Sequence, residues 1–348
     1  MMNSRERSMA EDTEAESELP RIAVVPIGRN EGERLRRCLE SILVMNYPAG
    51  QIEVIYVDSQ SSDGSVEMAR GMGVRTIVID GPTTAARGRN AGWTATNAPF
   101  VLFLDGDTIL HPEFARRAIA EMSDPKVAGV CGDRREMDTE GSIYNAVFDV
   151  DWGEHYGPTL YFGGDALVRT EALRAVGGYN QDLIAGEEPD MCRRMRERGY
   201  TLLHIDAPMT LHDLDMHHFR QYWRRSLRTG WAYAEVSSIY AKTSDPLWKA
   251  QSRHNLKHGV LWMLATPAAV LASIGLRSWL PLLVFSLLLL LQMSRPAWRV
   301  RRKAKTLSQA IAYGIHSEVQ HIPLLIGQIR YWLQERGQQK ARIIEYKV

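Results

Sequence analysis

Apolar and polar residues follow two different periods along the first part of the chain. Short apolar, largely β-branched runs predict strands at 22–25, 52–57, 76–79, 100–104 and 127–130. Between them, apolar residues recur three and four positions apart, which predicts helices at 35–43, 64–69, 84–96 and 112–122. Asn30 and Glu33 form a candidate capping box for the first helix. This alternation predicts an α/β fold in which helices cover both faces of a mostly parallel sheet.

A second pattern, of uninterrupted hydrocarbon, begins near residue 259. Residues 259–276 carry no charge, and after Arg277 neither do residues 278–294. Each run lies near the lower limit of the 17–25 residues of a membrane span. Basic residues precede the first run and follow the second, which predicts a transmembrane hairpin with both flanks in the cytoplasm. Pro267 and Pro281 interrupt the runs and leave a buried hairpin or a re-entrant segment as alternatives.

The two patterns suggest a division of the 348 residues into five parts. We expect a disordered lead-in at 1–20, a catalytic domain at 21–240, a linker or interfacial segment at 241–258, a transmembrane hairpin at 259–294 and a basic cytosolic tail at 295–348. Within the tail, residues 311–333 mix apolar and polar positions around Pro323 and are expected to lie along the membrane interface.

Composition and charge narrow the class of protein. Hydrophobic residues make up 45% of the chain and charged residues 24%, which is enough for a sizeable core. The 42 basic and 41 acidic residues leave a net charge of +1, which argues against a nucleic-acid partner. Three widely spaced cysteines, Cys38, Cys131 and Cys192, offer neither a disulfide framework nor a metal motif.

Acidic residues follow two of the predicted strands. Asp58 comes after the second strand, and Asp105, Gly106 and Asp107 come after the fourth. Open α/β sheets bind ligands at the carboxyl ends of their strands, and two closely spaced carboxylates favour a hard cation such as Mg²⁺ or Mn²⁺. Gly106 is expected to leave room for a ligand at the backbone. Alternatively, these residues only begin loops and cap helices.

The order of motifs resembles the family 2 glycosyltransferases, of a membrane-anchored bacterial type. Residues 24–31 (VVPIGRNE), 57–65 (VDSQSSDGS), 86–92 (ARGRNAG) and 103–107 (FLDGD) match in sequence. The resemblance implies a nucleotide-sugar-binding GT-A fold and a divalent metal, Mn²⁺ or Mg²⁺, held by Asp107 and Asp105. The residues that it implies for the donor side are Pro26, Asn30, Glu31, Asp58, Arg89, Asn90, Asp105, Gly106 and Asp107.

Later segments resemble the acceptor side of the same family. Residues 163–169 (GGDALVR) and 186–194 (GEEPDMCRR) match its motifs, which places Gly164, Asp165, Glu187 and Asp190 near the acceptor. Glu188 stands where the family has a general base, usually Asp. The alternative for this acidic cluster is a helix N-terminus favoured by the helix dipole.

Two further matches are partial. His212 follows the segment 205–208 (IDAP) and resembles a family histidine that completes the metal site or contacts the diphosphate, although His217 and His218 lie nearby. Residues 221–225 (QYWRR) resemble the motif of processive synthases, but Arg225 replaces its Trp. Gln221, Arg224 and Arg225 are therefore expected on the diphosphate side, while the departure argues against processive polymerisation.

The resemblance implies an inverting hexosyltransferase that uses a nucleotide-sugar donor, with UDP as the expected nucleotide. A membrane hairpin would bring the active site to a lipid-linked or membrane-proximal saccharide at the cytoplasmic face of the inner membrane. Transfer to polyprenyl phosphate is the alternative acceptor reaction. A haloacid-dehalogenase-like phosphatase and a non-catalytic membrane scaffold are the alternatives of another class, whereas a dinucleotide oxidoreductase lacks its glycine motif.

Overall fold

A computed structural model describes residues 19–153 and 155–336. Residues 1–18 of the expected lead-in and residues 337–348 of the expected tail lie outside this part. The chain divides into two compact units. The first unit comprises the chain up to Arg135, Glu154–Gln181 and Glu187–Asp213, and the second comprises Glu136–Gly153, Asp182–Gly186 and the chain from Leu214 onward.

Strands and helices alternate through most of the first unit, as the periodicity predicts. Its strands are β1 (Ile22–Gly28), β2 (Ile52–Asp58), β3 (Arg75–Val78), β4 (Phe100–Asp105), β5 (Thr108–Leu110), β6 (Val127–Glu136), β7 (Gly157–Pro158), β8 (Ala166–Arg169) and β9 (Thr201–His212). Its helices are α1 (Glu33–Leu43), α2 (Ser65–Gly71), α3 (Ala85–Thr94), α4 (Phe114–Glu121), α6 (Thr170–Val176) and α7 (Glu187–Glu197), while α5 (Ile143–Asp151) belongs to the second unit.

The described strands form one mixed sheet in the order β3-β2-β1-β4-β8-β6-β9-β5, with β7 paired to β9. The strands β3, β2, β1 and β4 run parallel to one another. Beyond β4, strand β8 pairs antiparallel with β4 and β6, and β9 pairs antiparallel with β5 and β7, so the parallel order that the sequence predicts covers only one half of the sheet. The residues of β1 and β4 are almost fully buried, which explains their continuous apolar runs.

The helix α1 buries the face that its periodicity predicts, but it begins in a different way. Leu35, Cys38, Leu39 and Ile42 all lie in the core. The residue before the helix is Gly32, and its φ of 49° suits a residue without a side chain. The prediction of a capping box at Asn30 is wrong, because the Asn30 Oδ1 accepts a hydrogen bond from the Ser62 N–H at 2.8 Å instead.

The second unit continues with long helices. They are α8 (Phe219–Ile239), α9 (Lys249–Gly275), α10 (Leu280–Val300), α11 (Leu307–Val319) and α12 (His321–Arg336). Helix α9 begins inside the segment expected to be a linker and continues through Pro267, and Pro281 lies in the first turn of α10. The three cysteines of the chain are buried and free.

Helix α12 packs against α8 through one face, and the prediction that residues 311–333 lie along a membrane interface stays a prediction. A Cβ at Gly327 would lie 2.2 Å from the Leu227 carbonyl oxygen of α8, and one at Gly230 would lie 2.2 Å from that of Leu324. Two glycines therefore permit the backbones of α8 and α12 to cross closely. The side chain of Gln328 on the same helix is fully buried.

Among the described helices, α9 and α10 are each long and apolar enough to cross a membrane. No described residue of α10 is buried, and its large side chains, such as Leu287 and Leu288, are more than half exposed. A helix in the core of a soluble protein would bury such side chains. The two helices meet where the Ser273 Oγ accepts a hydrogen bond from the Leu282 N–H at 3.2 Å, as in a hairpin.

Candidate active site

The candidate site lies at the carboxyl ends of the parallel strands, where the sequence places its acidic residues. The register aligns Gly28 of β1 with Asp58 of β2 and Ile27 of β1 with Asp105 of β4. Asp58 is fully buried, and its carboxylate accepts hydrogen bonds of 2.7 Å from the Tyr56 hydroxyl and from the Ser61 N–H. These contacts hold Asp58 in one orientation at the strand end.

Gly106 is crowded by the protein itself. Its N–H donates to the Ile27 carbonyl at 2.7 Å, and a Cβ at this position would lie 2.9 Å from the same oxygen. On the side where a Cβ would point, Gly106 therefore contacts the protein, and its role in leaving room for a ligand at the backbone stays a prediction. A glycine is needed here because the turn after β4 folds back onto β1.

Asp105, Asp107 and His212 converge on one point. The antiparallel pairing of β5 with β9 aligns Thr108 with His212, which brings the imidazole beside Asp107. The His212 Nε2 lies 3.5 Å from the Asp107 Oδ2, and one ligand atom from each of the three residues lies within 4.8 Å of the others. Two carboxylates and one imidazole are a donor set that suits Mn²⁺ and also permits Mg²⁺. The residues present therefore fit the metal that the family resemblance implies.

Arg89 joins the metal carboxylates to the candidate base. Its side chain is 2% exposed, and its Nη2 donates to Asp105 at 2.8 Å. Its Nη1 lies 3.1 Å from Glu187 and 2.9 Å from Glu188. Burial disfavours the guanidinium charge, but the surrounding carboxylates outweigh burial and raise the pKa of Arg89. The cation thus neutralises three carboxylates from two parts of the chain.

Glu188 has the electrostatic environment of a proton acceptor. It lies in the first turn of α7, and burial together with the negative charge of Glu187 raises its pKa to about 7, against the opposing effect of Arg89. A carboxylate with a pKa near neutrality can take a proton and still be ionised at working pH. Three acidic residues occupy this first turn, so they also interact favourably with the helix dipole, as the alternative interpretation of the acidic cluster predicts.

A second guanidinium, that of Arg134, was not predicted from the sequence. Arg134 lies near the end of β6, 2.7 Å from Asp165 and 3.5 Å from Asp105. Burial raises the pKa of Asp105, but Arg89 and Arg134 outweigh it and hold that pKa below its usual value. The sequence feature that could have indicated Arg134 is the pair Arg134 and Arg135 after an apolar run. The predicted strand ended at residue 130, four positions before Arg134.

Gly164 packs against the side chains of Asp105 and Arg89, and Asp165 binds the backbone of Asp105. A Cβ at Gly164 would lie 2.5 Å from both the Arg89 Nη2 and the Asp105 Oδ2, so no side chain fits there. The buried Asp165 accepts hydrogen bonds from the Asp105 N–H at 2.9 Å and from the Thr210 hydroxyl at 2.7 Å. These two residues position the carboxylates.

The remaining residues of the predicted donor side have contacts within the protein. Pro26 lies in β1 opposite Leu104, and Glu31 forms an ion pair with Arg34 at 3.0 Å. Asn90 binds a neighbouring segment: its Nδ2 donates to the Tyr179 carbonyl at 2.8 Å, and its Oδ1 accepts from the Tyr179 N–H at 2.9 Å. A donor-contacting role for these three residues stays a prediction.

The predicted acceptor-side residues fall in both units. In the first unit, Asp190 pairs with Arg194 at 2.7 Å. In the second unit, the Gln221 Oε1 accepts hydrogen bonds from the backbone N–H groups of His217 and His218 at 2.9 Å, so this side chain caps α8. The Arg225 guanidinium stacks over the Phe148 ring at 4.9 Å, and Arg224 lies on the same helix. Their predicted roles stay predictions.

The fold and the cluster of carboxylates together define a GT-A protein of the nucleotide-sugar-binding type. The model for glycosyl transferase family 2 matches residues 23–175, and the model for glycosyl transferase family group 2 matches residues 100–294, which is more than half of the chain. The chain belongs to the family 2 glycosyltransferases, a family of sugar-transferring enzymes. The phosphatase alternative is therefore wrong.

Curated relatives agree with this assignment. Glycosyltransferase AglE of Haloferax volcanii is 26% identical over 53% of this chain and 64% of its own length. A pre-mycofactocin glycosyltransferase of Mycobacterium tuberculosis is 29% identical over 55% of this chain, and the match spans 42% of that protein. The chain thus spans less than two thirds of the length of these relatives.

A solved structure shows the same fold. The mannosyltransferase PcManGT from Pyrobaculum calidifontis, solved in complex with GDP-Man and Mn²⁺, superimposes with a TM-score of 0.62 at 19% identity. The superposition covers 86% of this chain and 87% of that protein.

Proposed function

We propose that the chain is a metal-dependent, inverting hexosyltransferase that moves a sugar from a nucleoside-diphosphate donor to an acceptor hydroxyl. The observation that carries this proposal is the contact of one buried guanidinium, Arg89, with both Asp105 and Glu188. It brings a candidate metal carboxylate and a carboxyl group with a raised pKa into one site. An inverting displacement requires a leaving-group side and a proton acceptor of this kind.

Asp107 and His212 are the residues that would hold the metal, with Asp105 beside them. The oxygens of Asp105 already meet Arg89 at 2.8 Å and Arg134 at 3.5 Å, which leaves Asp107 and His212 as the stronger ligands. A bound divalent ion would supply positive charge to a departing diphosphate. Support for Mn²⁺ comes from the donor set and from the ion bound to the structurally similar mannosyltransferase.

Glu188 is the proposed general base. Its carboxylate takes the proton of the acceptor hydroxyl while that oxygen bonds to the anomeric carbon. The bond from the anomeric carbon to the diphosphate breaks, and its electrons leave with the nucleoside diphosphate. The retained ion pair with Arg89 orients the Glu188 carboxylate during this step.

The donor is proposed to be a nucleotide sugar with UDP as the nucleotide. The family resemblance supports UDP, whereas the similar mannosyltransferase was solved with GDP-Man, so a GDP-sugar is the alternative. The buried side chains of Asp58 and Tyr56, together with the partly buried Ser61, are the proposed contact for the nucleotide base.

The acceptor is proposed to be a lipid-linked or membrane-proximal saccharide. Support comes from the exposed apolar surface of α9 and α10 and from the basic residues on both flanks, which favour a hairpin whose ends lie in the cytoplasm. The catalytic unit would then face the cytoplasm at the inner membrane. Polyprenyl phosphate is the alternative acceptor.

A transfer assay tests these proposals together. Detergent-solubilised protein is incubated with a panel of UDP- and GDP-sugars, Mn²⁺ or Mg²⁺, and a bacterial lipid extract, and lipid-soluble label is counted. We expect a metal-dependent product in which the label is part of a longer saccharide after mild acid treatment, whereas a polyprenyl monophosphate product would release the labelled monosaccharide alone. No metal-dependent transfer or donor hydrolysis with any nucleotide sugar would refute the proposed function.

Two variants separate the proposed roles. Glu188→Gln should lower kcat by about 10²–10⁴-fold, the usual contribution of a general base, while donor affinity measured by calorimetry stays near that of the parent protein. Asp107→Ala should abolish the metal-dependent part of donor binding. Full turnover by Glu188→Gln would exclude Glu188 as the base.

A further inference from the structure

Three histidines of the second unit gather between α9 and α12. His254 and His258 lie one turn apart on α9, and His321 is the first residue of α12. Their ring centroids are 4.1 Å apart for His254 and His258, 4.9 Å for His258 and His321, and 5.4 Å for His254 and His321. The proposed transfer reaction uses none of these residues.

The close packing of the two helices explains why the rings meet. A Cβ at Gly259 would lie 2.7 Å from the His321 carbonyl oxygen, so α9 and α12 approach each other through a residue without a side chain. Further along the same contact, the Ser252 hydroxyl donates to the buried Gln328 Oε1 at 2.7 Å. These two contacts between α9 and α12 fix the backbone of His258 on the first helix and that of His321 on the second.

Two of the rings have a buried nitrogen without a protein partner. His321 is only 6% exposed, and neither its Nδ1 nor that of His258 has a hydrogen-bond partner among the described residues. A buried polar atom without a partner is costly, and a ligand that fills the space removes the cost. Burial, together with the neighbouring His258 and His254, lowers the pKa of His321 to about 4, so this ring is neutral and offers a lone pair.

The spacing of the nitrogen atoms is close to that of a metal site. One nitrogen from each of the three rings lies within 4.8 Å of the others. Two ligands of a tetrahedral Zn²⁺ with bonds of about 2.0–2.1 Å lie about 3.3 Å apart, so small rotations of the rings would close the site. His254 is exposed, which leaves water access on its side for a fourth ligand.

We propose that His254, His258 and His321 bind a divalent transition-metal ion of the zinc type and thereby link α9 to α12. Imidazole ligands favour Zn²⁺, Co²⁺, Ni²⁺ and Cu²⁺, whereas a site containing carboxylates favours Mn²⁺ and Mg²⁺. This site therefore differs in metal preference from the carboxylate cluster at Asp107. Because a preformed site binds its ion in the folded state, zinc would stabilise the contact between the two helices.

The test uses the full chain in detergent, purified with a tag that contains no histidine and stripped of metal with a chelator. Asp107→Asn is the parent protein, because it removes the other candidate metal site. Titration with Co²⁺, followed by visible absorption, and competition by Zn²⁺ give stoichiometry and affinity. We expect one ion per chain in the parent and a zinc-dependent rise in melting temperature.

Variants of the histidines decide the assignment. His321→Gln and the more exposed His254→Gln should each lower zinc affinity more than about tenfold, since even indirect ligand contacts contribute about 10–100-fold. His155→Gln, which changes an exposed histidine of the first unit, is the matched control and should leave affinity unchanged. If His321→Gln fails to fold, His254→Gln still tests the site. Absence of stoichiometric binding to the parent, or a zinc affinity in both histidine variants equal to that of the parent, would overturn the proposal.

Discussion

Replacing Glu187 by Gln should shift the pH dependence of transfer to lower pH. Burial and the negative charge of Glu187 raise the pKa of Glu188 to about 7, while Arg89 opposes them. Arg89 now shares its Nη1 between Glu187 at 3.1 Å and Glu188 at 2.9 Å. Removing the Glu187 charge eliminates a repulsion and leaves this guanidinium nitrogen to Glu188, so both effects lower the pKa of the base.

The environment of Glu188 limits how far its pKa can fall in the Glu187→Gln variant. The pKa of Glu188 rises from 4.5 to about 7, an interval worth about 3 kcal/mol. Burial is its largest cause and remains in the variant, so the shift must be smaller than this interval. A base with a pKa near 7 is ionised in about one molecule in eleven at pH 6, and a drop of one unit would raise kcat/KM at that pH about fivefold.

The measurement is kcat/KM between about pH 5.5 and 8.5 at constant ionic strength and saturating metal. Glu197→Gln is the matched control, because it removes a half-exposed carboxylate from the same helix, where Glu197 pairs with Arg193. It should leave the midpoint of the pH profile unchanged. An unchanged or higher midpoint in a folded Glu187→Gln variant would refute the assignment of Glu188 as the group that titrates.

Three further predictions follow from packing. Gly164→Ala places a Cβ 2.5 Å from the Asp105 carboxylate, so it should displace that carboxylate and lower kcat about 10²-fold, while circular dichroism still shows a folded protein. A near-normal kcat would mean that the position of Asp105 against Gly164 does not matter for the reaction. Gly327→Ala should lower stability by about 1–3 kcal/mol through the crossing of α8 and α12, read as a lower melting temperature, whereas Gly275→Ala meets no neighbour and is the control. Leu288→Arg puts a charge on the exposed face of α10 at a cost of about 2.5–3.5 kcal/mol in a bilayer, so it should reduce the fraction that resists carbonate extraction; an unchanged fraction argues against insertion.

The local elements could be predicted because they depend on apolar spacing. The positions of α1, β2, β4 and α4 follow from periodicity within a few residues, and the acidic residues at the strand ends follow from the same alignment. Capping was less predictable. Asn30 had the right residue type for a helix N-cap, yet its side chain binds Ser62, which lies 32 positions away.

The order of motifs suggested the candidate catalytic residues, whereas it did not predict the ion pairs between them. Motif order singled out Asp105, Asp107, Glu188 and Arg89 one by one. That the Arg89 guanidinium joins Asp105 to the acidic residues of α7 depends on a contact between Arg89 and Glu187, which lie 98 positions apart along the chain. Arg134 was missed because its role arises only when β6 lies beside β8 in the sheet.

Amino-acid order by itself thus determined the α/β class, the apolar hairpin and the residue types available for chemistry, because each depends on local periodicity or on a linear motif. Tertiary structure alone decided the antiparallel half of the sheet, the crossing of α8 and α12 at glycines, and the meeting of His254 and His258 with His321. The physical reason is the same in each case. Contacts between distant segments depend on strand register and on how closely two backbones can approach, and neither is encoded in the spacing of residues along one segment.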